Sequence, residues 1–263
     1  MPFEFDQAIA VRRSADGVYD AEIVDGWDIR GNANGGYVMA MIANAMREEC
    51  ERPDPVTITL HYLAPLPAGP VRIEARVDKR GRRLSTVSAT LSQGGRVAVR
   101  ALASFGNFDE MQHPLEYVTV SPPDLPAPDS CAKRTSHDGI FPLVDRLDMR
   151  LHPDDAGFER GVKSGEALVR GWFRMPDERP NDVYSVMLAG DAFPPPVLNL
   201  DGVMGWVPTV ELTLHLRARP KNGWLRVRFA SSVVRDGLCS EVGEVWDDEQ
   251  CVAEIRQIGL LPN

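Results

Sequence analysis

Thr57–Gly106, TITLHYLAPLPAGPVRIEARVDKRGRRLSTVSATLSQGGRVAVRALASFG, and Glu211–Gly259, ELTLHLRARPKNGWLRVRFASSVVRDGLCSEVGEVWDDEQCVAEIRQIG, are two diverged copies of one pattern. His61 falls over His215, an offset of 154 residues, and at that offset Gly69 meets Gly223, Val71 meets Leu225 and Leu84 meets Leu238. A single gap at the tip of the last hairpin, Gln93-Gly94-Gly95 against Asp247-Asp248-Glu249, then brings Gly106 over Gly259. Breaks and apolar positions agree over about fifty residues, which is the mark of an internal repeat.

Each copy reads as antiparallel strands. Thr57–Leu63 alternates and is rich in β-branched residues; Pro65, Pro67 and Gly69 end it, as Pro220 and Gly223 end its mate. Val71–Val77 alternates apolar with polar residues, the pattern of a half-buried strand. Leu84–Ser92 and Arg96–Phe105 are joined by Gln-Gly-Gly, a turn that calls for positive φ, whereas the Asp247–Gln250 turn has no glycine and predicts another turn type.

Ahead of each strand set lies a helix. Asn34–Met46 is opened by Asn34 and two glycines and is apolar on nearly every side, so it predicts a buried helix. The second copy has Asp182–Phe193, closed by three prolines. One buried helix wrapped by a curved antiparallel sheet, twice over, is an α+β double hotdog: residues 1–106 form the first unit, 107–139 a Pro- and Ser-rich crossover linker, and 140–263 the second unit.

At this point the sequence resembles the thioesterase II (TesB-like) branch of the acyl-CoA thioesterases. The resemblance rests on Asn34-Gly35-Gly36, on the His61 strand with its Pro-Xaa-Pro exit, on Asp191 in LAGDAF, Thr209 in VPTVEL and Gln257 in IRQIG. It implies an acyl-CoA hydrolase in which Asp191, Thr209 and Gln257 hold the attacking water. The chain departs from the family in having Tyr37 where Gln often follows the glycines, and Glu211-Leu212 where Asp-His often follows the Thr.

The residues fit that chemistry. Asp191 is the only carboxylate in an apolar stretch, where burial raises its pKa and improves it as a base. Gln257 can orient a water without titrating, and its counterpart in the first copy is Ser104. Backbone N–H groups of Gly35, Gly36 or Tyr37, at a helix N-terminus, are the expected oxyanion donors, which puts one site between the two halves. Arg80, Arg82 and Arg83, with Lys79, are either a solvated hairpin or a contact for the coenzyme A phosphates. His61 and His215 repeat symmetrically and so read as structural, while Trp172, Trp206 and Trp224 read as core or interface.

Other classes lack support. A net charge of −9 argues against nucleic acid. Cys50, Cys131, Cys239 and Cys251 have no metal or disulfide spacing, and no metal or other cofactor is expected. There is no GxSxG nucleophile motif, and no Asp/His pair of the kind a hydratase on this fold would use. Neither a membrane span nor a secretory signal is evident, so a cytoplasmic protein is expected. Exposed sheet edges predict a homo-oligomer. The competing reading from another class is a silent acyl-CoA-binding protein of the same fold.

Overall fold

A computed structural model describes residues 2–136, 139–248 and 250–262. The strands are β1 (Arg12–Ala15), β2 (Val18–Ile23), β3 (Asp28–Ile29), β4 (Asn32–Ala33), β5 (Asp54–Tyr62), β6 (Gly69–Arg80), β7 (Ser85–Gln93), β8 (Arg96–Gly106), β9 (Ala132–Lys133), β10 (Asp148–Leu151), β11 (Leu168–Arg174), β12 (Thr209–Leu216), β13 (Leu225–Arg235), β14 (Leu238–Asp247) and β15 (Gln250–Leu260). The helices are α1 (Glu4–Ala8), α2 (Gly35–Cys50) and α3 (Val183–Ala192). Apart from the β3–β4 hairpin, the strands join one antiparallel sheet in the order β1-β2-β6-β7-β8-β5-β12-β15-β14-β13-β11-β10-β9. The second half repeats the order of the first in mirror sequence about the β5–β12 seam, with α2 and α3 held inside: the double hotdog.

The seam carries the two-fold axis. Thr59 pairs with Thr213, its own mate at the 154-residue offset, and their hydroxyls share a hydrogen bond of 2.8 Å. Farther along the seam, Asp54 is buried at the start of β5 and takes both prongs of Arg219 from the second half, at 2.8 and 2.9 Å. A two-pronged guanidinium–carboxylate pair with one buried member holds geometry as well as charge.

The register corrects the repeat at one place. Gln93 pairs with Arg96 as Asp247 pairs with Gln250, and Leu91 pairs with Val99 as Val245 pairs with Ala253. The offset of 154 therefore runs through the last hairpin without the expected gap, because both hairpins carry an irregularity at the same point. The mate of Gln257 is Ala103, not Ser104: Ala103 pairs with Ile58 as Gln257 pairs with Leu212. Gly94 and Gly95 have φ of 56° and 80°, as their turn requires. In the other turn Asp248 has φ 39°, and Glu249 lies outside the described residues.

Helix α2 is buried because the sheet wraps it. Eleven of its sixteen residues are buried, among them Tyr37, Met39, Met41 and Ile42, so nearly every face meets apolar neighbours. Each such large side chain contributes roughly 1.5–3 kcal/mol by leaving water. The helix runs a turn past Met46 to Cys50, where Arg47 and Glu48 emerge into solvent and end the apolar pattern. Helix α3 starts on a capping box, with Asp182 accepting from the N–H groups of Tyr184 and Ser185. It stops where Pro194–Pro196 can no longer continue it.

The crossover is shorter than 107–139. Trp172 Nε1 donates to the carbonyl of Pro126 at 2.9 Å, and β9 pairs with β10, so the chain from about 126 onward already packs on the second half. A strand of two residues is too short to show periodicity.

Candidate active site

The N-terminus of α2 meets the C-terminal end of α3 inside the sheet, and the residues that make this meeting possible are small. A Cβ on Gly36 would lie 2.4 Å from the carbonyl oxygen of Met187 and 3.1 Å from both Cα of Leu188 and Cβ of Asp191. With no side chain there, α3 comes close enough to set Asp191 against the first turn of α2.

Asn34 uses both ends of its amide at this contact. Its Oδ1 caps α2 by accepting from Tyr37 N–H at 2.9 Å. Its Nδ2 donates to Asp191 Oδ2 and to the Asp191 carbonyl, each at 2.9 Å. Gly36 N–H donates to the same Oδ2 at 3.0 Å. Enclosure by protein pushes the Asp191 carboxyl up to about 6, opposed by the N–H groups of Gly36 and Gly35 and by the side chains of Gln257 and Asn34. The group is thus poised near neutrality, with its ionised form held by helix N-terminal donors.

Gln257 and Thr209 reach the same place from the sheet. Gln257 is buried on the inner face of β15 and donates from Nε2 to Thr209 Oγ1 at 2.6 Å. Thr209 faces inward because the pairing slips between Thr209 and Glu211; without that bulge it would share the outer face with Glu211 and Thr213. The first half slips at the same point, between Pro55 and Thr57. At the positions of Thr209 and Gln257 it carries Pro55 and Ala103, so its equivalent place has no such pair.

Asp191, Thr209 and Gln257 share the wall of one cavity of about 510 Å³ with Asn34, Gly35 and Tyr62. The same cavity has apolar lining that includes Val38, Phe193, Leu198, Val207 and Phe229. Tyr62 donates to the carbonyl of Gly35 at 2.8 Å, and burial followed by the charges of Asp191 and Glu211 keeps its phenol un-ionised. Among the described residues the lining contains no serine or cysteine, so the polar groups present suit a held water rather than a covalent nucleophile.

Residues 23–106 match the family model of the acyl-CoA thioesterase N-terminal domain, and residues 122–261 that of the acyl-CoA thioesterase C-terminal domain. The chain belongs to the acyl-CoA thioesterase family. It is a thioester hydrolase. A crystal structure from Thermobifida fusca, provisionally described as a thioesterase II, is 31% identical over 99% of this chain and 98% of that one, with a TM-score of 0.89. The tesB protein of Mycobacterium avium subspecies paratuberculosis shares the fold at 16% identity, with 99% of each chain covered and a TM-score of 0.79. A Mycobacterium tuberculosis H37Rv protein of uncharacterised function is 28% identical over 93% of this chain and 91% of its own length.

For this thioesterase the structure gathers Asp191, Thr209, Gln257 and Gly35 at the cavity and leaves other expected residues elsewhere. Tyr37 is a correction: its N–H is spent on the Asn34 cap, its ring stacks on Trp27, and its hydroxyl donates to the Ala8 carbonyl, all inside the core. Gly36 N–H points at Asp191 rather than into open space.

Arg80, Arg82 and Arg83 lie by the other end of α2, some 24 Å along a sixteen-residue helix from the cavity. There Arg80 donates to the carbonyls of Glu49 and Cys50, a cation at the negative end of the helix. Arg82 presents its carbonyl to Arg52. His61 and His215 sit on the outer face of the seam, and neither lines the cavity.

Two lining residues escape sequence reading. Arg134, beside exposed Thr135, is tied to Glu159 by a 2.7 Å hydrogen bond in the cavity wall. Glu241 is buried on the inner face of β14, directly across from Gln257. Burial and then the charge of Asp191 push its carboxyl up to about 8. The repeat itself carried the signal for Glu241, whose mate is the inward-facing Val87. Among the described residues no helix is long and apolar enough to cross a membrane.

Proposed function

We propose that the enzyme hydrolyses acyl-CoA thioesters with a water deprotonated by Asp191 and oriented by Gln257 and Thr209. The observation that carries this reading is the convergence of that carboxylate, amide and hydroxyl from α3, β15 and β12 at one cavity wall. Water adds to the thioester carbonyl while its proton passes to Asp191. The tetrahedral oxyanion forms at the N-terminus of α2, where the helix dipole supplies positive potential. Collapse breaks the C–S bond, and the proton held by Asp191 returns to the departing thiolate. The apolar lobe lined by Phe193, Leu198 and Phe229 takes the acyl chain. The cytoplasm as its compartment, fatty-acid metabolism as its setting and a homo-oligomer as its assembly complete the proposal.

Arg134 is the one basic residue of the cavity wall among the described residues, and it takes the place of the Arg80 cluster as the contact for a coenzyme A phosphate. Thiol release from a panel of short to long acyl-CoAs tests the reaction class. Turnover with a chain-length optimum is expected, and no release from any member would refute it. In the same assay Arg134→Ala raises KM for acyl-CoA roughly tenfold, the worth of one charge-assisted hydrogen bond. It leaves KM for the matching N-acetylcysteamine thioester, which lacks the phosphates, unaltered. A KM rise on both substrates would remove Arg134 from the phosphate site.

A further inference from the structure

The inner face of the second half carries a polar pair that neither the fold nor the proposed water site uses. Glu241 on β14 pairs directly with Ser231 on β13. Glu241 is 4% exposed and lines the cavity. Its Oε1 and the Ser231 Oγ are both buried and have no hydrogen-bond partner among the described residues. In the first half the same two positions are Val77 and Val87, paired across an equivalent irregularity of the strand. The fold is therefore satisfied by two valines here, and the polar pair answers a different demand.

The surroundings sharpen that demand. Phe229 precedes Ser231 on the same face, and Phe193, Leu198 and Val207 share the cavity with Glu241. A plain alkyl chain laid against this wall leaves the Glu241 carboxyl, which lines it, without a partner, with the Ser231 hydroxyl unpaired behind it, and native proteins seldom tolerate such burial. Glu241 also stands directly across from Gln257, so the two side chains start about 5 Å apart. The polar spot thus neighbours Gln257, to which the proposed function gives the attacking water.

We infer that Glu241, backed by Ser231, forms a seat for an oxygen function, hydroxyl or keto, on the first few carbons of the acyl chain. This rests on the thioesterase reading of the same cavity and names its substrate class: coenzyme A thioesters of oxygenated acids. The environment that raises the Glu241 carboxyl keeps it protonated near pH 7, so it both donates to and accepts from a hydroxyl. A site built to bond a substrate hydroxyl discriminates strongly against the analogue without it.

The test measures binding apart from turnover. Inert thioethers of coenzyme A, plain or bearing one hydroxyl at carbon 2, 3, 4 or 5 of an equal-length chain, are titrated into the full chain by calorimetry. The wild type binds one hydroxylated position at least tenfold more tightly than the plain chain. Glu241→Val and the double variant with Ser231→Val, which install the residues of the first half, bring that ratio close to one. Glu241→Gln, neutral and still able to hydrogen bond, retains most of it. Equal affinity of the wild type for all the thioethers would overturn the seat, as would a preference that survives in the double variant. Thiol release from plain acyl-CoAs is run alongside: its absence with the preference intact would count against the hydrolytic reading and not against the seat.

Discussion

Asp191→Asn lowers kcat for acyl-CoA hydrolysis by roughly 10³-fold, the scale of a lost general base, while the protein remains folded. The side chain keeps an oxygen for the N–H of Gly36 and for Asn34, so the contact between α2 and α3 persists. What disappears is the basicity. The same account fixes the pH profile of the wild type. Burial holds the Asp191 carboxyl at about 6, so kcat/KM climbs as pH rises through 6 and levels above it. Stability runs the other way. A carboxyl whose folded pKa is raised contributes stability below its unfolded value near 4 and loses it as pH rises through about 6. In the proposed mechanism the enzyme works where Asp191 is ionised, at a cost to the fold. Initial rates from pH 4.5 to 8.5, with circular dichroism of both proteins, check this; a variant retaining a tenth of the wild-type rate would rule Asp191 out as the base.

Gly36→Val damages structure and activity together. The added Cβ falls 2.4 Å from a backbone carbonyl of α3, a contact no side-chain rotation relieves. Either α3 moves away from α2 or the first turn of α2 unwinds. Overpacking of this kind costs about 1–3 kcal/mol, and more where backbone must shift, so a loss beyond about 3 kcal/mol is expected. Because the same displacement pulls Asp191 from the Gly36 N–H, kcat falls at least a hundredfold even at temperatures where the variant is folded. Gly36→Ala meets the same carbonyl with fewer atoms and should show a smaller loss of the same sign. Urea unfolding and thiol release read the two effects; a valine variant of wild-type stability would mean that α2 and α3 do not pack as described.

The strands nearest the seam were legible because they alternate and because each is written twice. Val71–Val77 and its mate announce β6 and β13 by period, and Gly94-Gly95 announces the turn between β7 and β8. β2 and β11, which precede the helices in each half, were not legible, since charged residues and short loops surround them and no shared offset points to them. Asp191, Thr209 and Gln257 could be picked out through the family resemblance, which matches them by residue type and order. Their convergence depends on a bulge that turns Thr209 inward and on a glycine contact between helices 155 residues apart, and neither is written in local pattern.

Glu241 shows the limit from the other side. In SEVGEVW, alternation by polarity would put Val242 inside and Glu241 outside, whereas the register does the reverse. Strand parity, once counted through the repeat from Val87, gives the right face. The basic residues Arg80, Arg82 and Arg83 left a solvated hairpin and a phosphate contact both open, because charge alone does not say which end of a buried helix a hairpin meets.

In the proposed mechanism a symmetric fold holds one asymmetric site, built where the N-terminus of α2 meets Asp191, while the equivalent positions of the first half carry Pro55, Val87 and Ala103. Counting sites tests it most directly. Calorimetric titration with an inert alkyl thioether of coenzyme A should give one molecule bound per chain, in the wild type and in Asp191→Asn alike. Two equivalent molecules per chain would show that both halves are competent and would contradict the account.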